Sequence, residues 1–156
     1  MTKVMTQSEK VLPSLLRAGL VKRWHVEGLP ISQTTAEHSW GVAVILYLSG
    51  APRNVVGWAL LHDMPEVSTG DMPGPEKRRN PALDEALKDA EKRWFKERGI
   101  VCDLTDEQLA EVEEADRLEA ATWLWNAYYL TGSPRIKELW EWCEAESRTR
   151  KFEEAL

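Results

Sequence analysis

The chain has 156 residues, with 20 Lys and Arg against 26 Asp and Glu, for a formal charge of −6. That length suits a single domain spanning residues 1–156, and 43% hydrophobic with 29% charged residues is a globular composition, not a disordered one. An acidic chain without a basic tail is a poor binder of nucleic-acid polymers, so any phosphate-bearing ligand needs a local basic patch or a metal.

Helical periodicity runs through almost the whole chain. A first helix is predicted over Val11–Gly19, with Pro13 confined to its first turn. Thr34 followed three positions later by Glu37 is a capping-box pattern, and the apolar run behind it predicts a helix to Leu48. A third helix fits Arg53–His62 after Pro52. Asn80-Pro81 opens a fourth that ends at Arg98 before Gly99, with the proline at its first position and the glycine just past its end. Thr105 with Gln108 caps a fifth through Leu130, and Ser133-Pro134 starts a sixth. No segment alternates with period two for long enough to predict a strand. The expected fold is therefore an all-α bundle of about six helices. Two stretches, Val21–Gln33 and Asp63–Arg79, are predicted to be irregular, and loops of that length are often functional.

The location expected from the same reading is cytoplasmic. Met1–Lys10 has no apolar signal region, and no apolar run approaches the roughly 18–20 residues of a membrane span. Cys102 and Cys143 are far apart and lack CxxC spacing, as expected of reduced thiols.

Several polar residues fall where helical spacing demands core residues. His38 shares a face with Gly41, Val42 and Ile45; His62 follows Val55 and Ala59; Asp116 sits in the row Leu109, Val112, Ala120, Trp123. A buried ionised carboxylate costs several kcal/mol unless it is paired or metal-bound. Taken singly, each histidine fits a hydrogen-bonded core residue and Asp116 fits an arginine partner. Taken together with Asp63, they make two imidazoles and two carboxylates, a donor set suited to Mn²⁺, Co²⁺, Ni²⁺, Fe²⁺ or Zn²⁺. Spacing alone does not show that the helices bring them together.

The motifs Ala36-Glu37-His38-Ser39, His62-Asp63 with Glu66, Gly70-Asp71, Pro73, Pro75 and Lys77, and Glu114-Ala115-Asp116 resemble those of the HD-domain nucleotide phosphohydrolases. Arg23-Trp24 ahead of them matches the branch of small bacterial 5′-deoxynucleotidases and phage dATP triphosphohydrolases. The resemblance covers roughly Leu15–Trp125. It implies a single divalent metal held by His38, His62, Asp63 and Asp116, with Mg²⁺ a candidate companion of the substrate phosphates. It also implies cleavage of the 5′ phosphoester bond of a 2′-deoxynucleotide. Under it Glu66 handles the attacking water and the leaving-group proton, and Asp71 assists or binds the sugar. Arg23 and Lys77 hold phosphate, Trp24 excludes a 2′-hydroxyl, and Val26 and Pro75 wall the base. His25 replaces the proline of the bacterial Arg-Trp-Pro form, and no metal role is assigned to it.

The expected activity is dATP triphosphohydrolase, with a deoxynucleoside 5′-monophosphatase as the alternative. A non-catalytic metal- or nucleotide-binding protein is the alternative of another class. The expected partners are a small deoxynucleotide and further copies of the chain in a homo-oligomer, with no nucleic acid and no membrane; a phage-encoded chain would work in the host cytoplasm. Trp123, Trp125, Trp140 and Trp142 form two WxW pairs, from each of which one ring is expected to face the core and one a partner subunit.

Overall fold

Helix ends in the computed structural model follow the local chemistry of the chain. The structure describes residues 12, 13 and 16–147; the rest of the helix expected over Val11–Gly19 lies outside the described residues, and 16–18 are helical. Helix α1 is Thr35–Leu48, with Thr34 and Glu37 forming both halves of the predicted capping box. Helix α2 is Arg53–Ala59, α3 Glu66–Thr69, α4 Gly74–Arg79 and α5 Pro81–Glu97. Asn80 caps α5 by accepting from the Leu83 N–H. The 26-residue α6, Asp106–Thr131, starts from the Thr105–Gln108 capping box and ends at Gly132 in the left-handed region, and α7 is Pro134–Ser147.

Three expectations need correction. The helix expected through His62 stops at Ala59. Its continuation tightens into turns such as Leu61 N–H to the Trp58 carbonyl and Met64 N–H to the Leu61 carbonyl. Pro65 bars continuation beyond Met64, since it lacks an N–H and disfavours helical backbone at the residue before it. The His62 ring also takes the Ala59 carbonyl that Asp63 would have bonded in a longer helix. The stretch Asp63–Arg79 is not continuous loop, because α3 and α4 start beside Pro65 and Pro73, whose fixed φ suits a first helical turn. Finally, β1 (Lys22–Arg23) and β2 (Gln33–Thr34) pair antiparallel, with Lys22 opposite Thr34 and Arg23 opposite Gln33. Two-residue strands are too short to leave a period-two signal.

Helix α6 is the central element. Its N-terminal half buries Val112 and Ala115 against Val42, Leu46 and Val55 of α1 and α2. Its C-terminal half buries Ala120, Leu124 and Ala127 against Ile136, Leu139 and Cys143 of α7. A third cluster, Met64, Trp94 and Phe95, anchors the turn after α2 onto α5. The site residues therefore lie where α1, α6 and that turn meet. Among the described residues no helix is long and apolar enough to cross a membrane.

The tryptophan pairs divide unevenly. Trp123, Trp140 and Trp142 all pack on the α6–α7 core, and Trp125 stacks on Trp140 with ring centroids 4.8 Å apart. Leu124 is fully buried, so Leu124→Ala should cost about 2–5 kcal/mol in denaturant unfolding. Exposed Tyr129→Ala on the same helix should stay within about 0.5 kcal/mol.

Candidate active site

Helix α1 carries His38 inward one turn after its cap, where it is fully buried. Asp116 reaches it from α6, and His62 and Asp63 come from the turn after α2. One donor atom each from His38, His62 and Asp116 lies within 4.8 Å of the others. Asp63 stands alongside, its Oδ1 3.3 Å from His62 Nε2 and its Oδ2 3.6 Å from His38 Nε2. The second of these oxygens also accepts from Arg23 Nη1 at 3.0 Å.

This arrangement fits a divalent cation. His62 Nδ1 lies 2.6 Å from the Ala59 carbonyl, which can only accept, so Nδ1 carries the proton and the Nε2 lone pair is left for a ligand. The Nε2 atoms of both histidines are buried without a hydrogen-bond partner. His38 Nε2 is 2.6 Å from Asp116 Oδ1 but is not aligned for a hydrogen bond. Closeness without alignment is the pattern of two donors converging on a shared ion.

These charged groups act strongly on one another. Burial and the Arg23 charge both oppose a protonated His38, yet its contacts with Asp116 and Glu119 outweigh them and raise its pKa to about 9. Burial would raise Asp116, but His38 and Arg23 bring it below the usual carboxylate range. Arg23 stays charged despite burial because Asp63, Asp116, Asp71 and Glu66 surround it. Glu66 goes the other way: burial, then Asp63 and Asp71, push it up to about 8.

A cavity of about 440 Å³ opens beside the histidines. Arg23, Lys77, Arg78 and Arg117 line it against six carboxylates, so acid is in excess until a cation is bound. Trp24 forms one wall at φ +60°, a conformation a bulky residue adopts only under constraint. Its backbone N–H donates to Asp71 Oδ2 at 3.2 Å, and Asp71 is itself buried. Glu66 accepts from the Thr35 hydroxyl at 3.0 Å.

Comparison with known proteins gives this geometry a family. The family model described as 5′-deoxynucleotidase YfbR-like matches residues 10–115. The chain belongs to the YfbR-like 5′-deoxynucleotidase family. It is 31% identical over 137 residues to a dATP triphosphohydrolase of Cyanophage S-2L, covering 83% of this chain and 62% of that protein. It is 32% identical over 88 residues to a 5′-deoxynucleotidase of Photobacterium profundum, covering 49% of this chain and 45% of that one. The chain thus spans about half to three-fifths of these relatives' lengths. Its fold matches the Cyanophage S-2L HD phosphohydrolase bound to dA and one catalytic Zn²⁺, with TM-score 0.71, 23% identity, and 100% and 89% of the two chains covered.

Within this YfbR-like fold most of the expected site residues gather at the cavity. Arg23, Trp24, Asp63, Glu66, Asp71, Lys77 and Asp116 all line it. Val26 does not: it is exposed and borders an adjoining open groove that shares Met72, Pro73 and Trp142 with the cavity. It sits on the turn after β1, which carries it outward. Pro75 belongs to α4, and its side chain lies outside the described residues. His25 is exposed, with Nδ1 3.1 Å from the Lys22 carbonyl.

The sequence reading missed Gln33, Thr35, Arg117, Glu119 and Trp142. Glu119 had a readable signal, since it lies seven positions after Val112 and four after Ala115 on the buried stripe of α6. Arg117 and Trp142 had none, because nothing in their own spacing points to a cavity.

The raised Glu66 pKa sets a sign for stability. A carboxyl shifted from 4.5 to about 8 stabilises the metal-free fold at low pH, and that contribution is lost as pH rises through about 8. In chelator-treated protein, Glu66→Gln should therefore raise the melting temperature relative to wild type by more at pH 8 than at pH 5. Equal shifts at both pH values would contradict the assigned environment.

Proposed function

We propose that the chain is a divalent-metal-dependent phosphohydrolase that cleaves the 5′ phosphoester bond of 2′-deoxynucleotides, with dATP as its lead substrate. The observation that carries this reading is the pair of unpartnered histidine Nε2 atoms facing Asp116 beside a cavity that also holds Arg23 and Trp24. His38, His62, Asp63 and Asp116 would hold the metal. When bound, such a cation acidifies water and draws negative charge off a phosphoryl group.

The remaining chemistry falls to the chain's own side chains. Arg23, kept charged by the acids around it, grips the scissile phosphate. Glu66, whose pKa of about 8 in the metal-free chain a nearby cation would lower, takes a proton from the attacking water and gives one to the departing 5′-oxygen. Asp71 holds the Trp24 backbone and so fixes the ring against the sugar face, where it leaves no space for a 2′-hydroxyl. Water adds to phosphorus, the bond to the 5′-oxygen breaks, and dATP yields deoxyadenosine and triphosphate.

Lys77 and Arg117 favour a triphosphate, since they add cationic charge to the cavity beyond Arg23. The Cyanophage S-2L relative supports the same substrate. The 5′-monophosphatase reading is favoured by the description of the family whose model matches. A product assay with Co²⁺, Mn²⁺ or Zn²⁺ against dATP, dAMP and ATP separates them. Triphosphate release from dATP, abolished by a chelator and absent with ATP, is the expected outcome; orthophosphate from dAMP alone would overturn the triphosphate assignment. In that assay Glu66→Gln should lower kcat by roughly 10²–10⁴-fold. Arg117→Ala should raise KM for dATP and leave that for dAMP unchanged.

We further propose that copies of the chain associate. Trp40 and Tyr47 lie seven positions apart on one face of α1 and are both largely exposed, an apolar surface typical of interfaces. Sedimentation should show a dimer or larger species that Trp40→Glu dissociates; a monomeric wild type would end this reading.

A further inference from the structure

The metal-site reading accounts for the donor atoms but leaves unexplained a second buried polar group behind them. Glu119 is buried on α6, one turn beyond Asp116, and both of its oxygens are engaged. Oε1 accepts from Gln33 Nε2 at 2.7 Å, and Oε2 faces His38 Nδ1 in close contact. Gln33 is itself 1% exposed and sits on β2 opposite Arg23, so the chain of contacts runs from the hairpin through α6 to the imidazole of α1.

Room for this carboxylate depends on a missing side chain. Gly41, one turn after His38, faces Glu119, and a Cβ there would lie 2.6 Å from Glu119 Cγ and 2.9 Å from its Oε1. Any other residue at 41 would force the glutamate away from the position that meets His38. An apolar residue at 119 would pack against the same neighbours without the desolvation of a carboxylate. A glycine, a glutamate and a glutamine spent on one contact point to a requirement at the imidazole.

We propose that Glu119, held by Gln33 and accommodated by Gly41, is a positioning residue that keeps the proton of His38 on Nδ1 and thereby directs the Nε2 lone pair into the metal site. His62 has the equivalent restraint from the Ala59 carbonyl, so each imidazole is locked from behind by an acceptor. The two locks differ in kind, because a carboxylate also strengthens the basicity of the ring it holds whereas a carbonyl mainly orients it. The inference rests on the reading of His38 as a ligand, and a test that measures metal binding directly separates the two.

The experiment is a zinc titration of the full chain in competition with a chromophoric chelator. It compares wild type, Glu119→Gln, Glu119→Ala, Gly41→Ala and the Gly41→Ala/Glu119→Ala pair, with the melting temperature of each metal-free protein measured alongside. Glu119→Gln keeps the shape and a neutral acceptor, and should bind zinc about tenfold more weakly; Glu119→Ala should lose roughly a hundredfold. Gly41→Ala should weaken zinc binding in the wild type and add nothing in the Glu119→Ala background, since both act through one contact. Melting temperatures that fall while zinc affinity stays at the wild-type value would assign Glu119 to the fold alone and overturn the proposal, leaving the metal site standing. A wild-type chain that binds no zinc would overturn both. Glu119→Gln carries the test should the alanine variant not fold.

Discussion

His38 has no access to solvent, and the carboxylates of Asp116 and Glu119 stand on either side of its ring. Both acids come from α6, one turn apart, while the imidazole comes from α1. The packing of these two helices is therefore coupled to a polar contact as well as to Val42, Leu46 and Val112. Buried ionisable groups are tolerated only when each has a partner, which restricts how α1 can rotate or slide along α6. Gly41 meets the same restriction sterically, since it lets the glutamate pass between the helices. The apolar clusters supply the burial, and the polar contact supplies the register.

Around this axis the remaining site residues are placed by backbone that departs from regular helix. Helix α2 ends at Ala59, and the turns that follow bring His62 and Asp63 to His38 and Asp116. The β1–β2 hairpin swings Arg23 over Asp63, and Trp24 follows in a left-handed conformation tied to Asp71. Strain of this kind, on the order of 1–3 kcal/mol, persists only where surrounding contacts over-determine it. Here the constrained residue, Trp24, is itself a wall of the cavity.

The charge balance of the cavity favours a bound cation. Six carboxylates and four basic side chains border the cavity, and burial together with the neighbouring Asp63 and Asp71 pushes the pKa of Glu66 up to about 8. A divalent ion would remove the surplus and turn an acidic chain into one that accepts phosphate. The net charge of −6 is thus compatible with an anionic ligand, because the balance that matters is local.

The sequence by itself determined the helices that start and stop on side-chain chemistry. Thr34 with Glu37, Asn80 with Pro81 and Thr105 with Gln108 set their boundaries through contacts within four residues, which need no tertiary partner. It also marked His38, His62 and Asp116, because a polar residue on an apolar stripe is legible from spacing, and Asp63 through its place beside His62 in the motif. Whether those residues meet was decided by the tertiary structure, as were the early end of α2, the outward path of Val26 and the positions of Gln33, Arg117 and Glu119 beside the site. Those outcomes depend on contacts between residues up to 86 positions apart, such as Gln33 with Glu119, and helical periodicity carries no information at that range. Local patterns specify which face of a helix is polar; only packing specifies what that face touches.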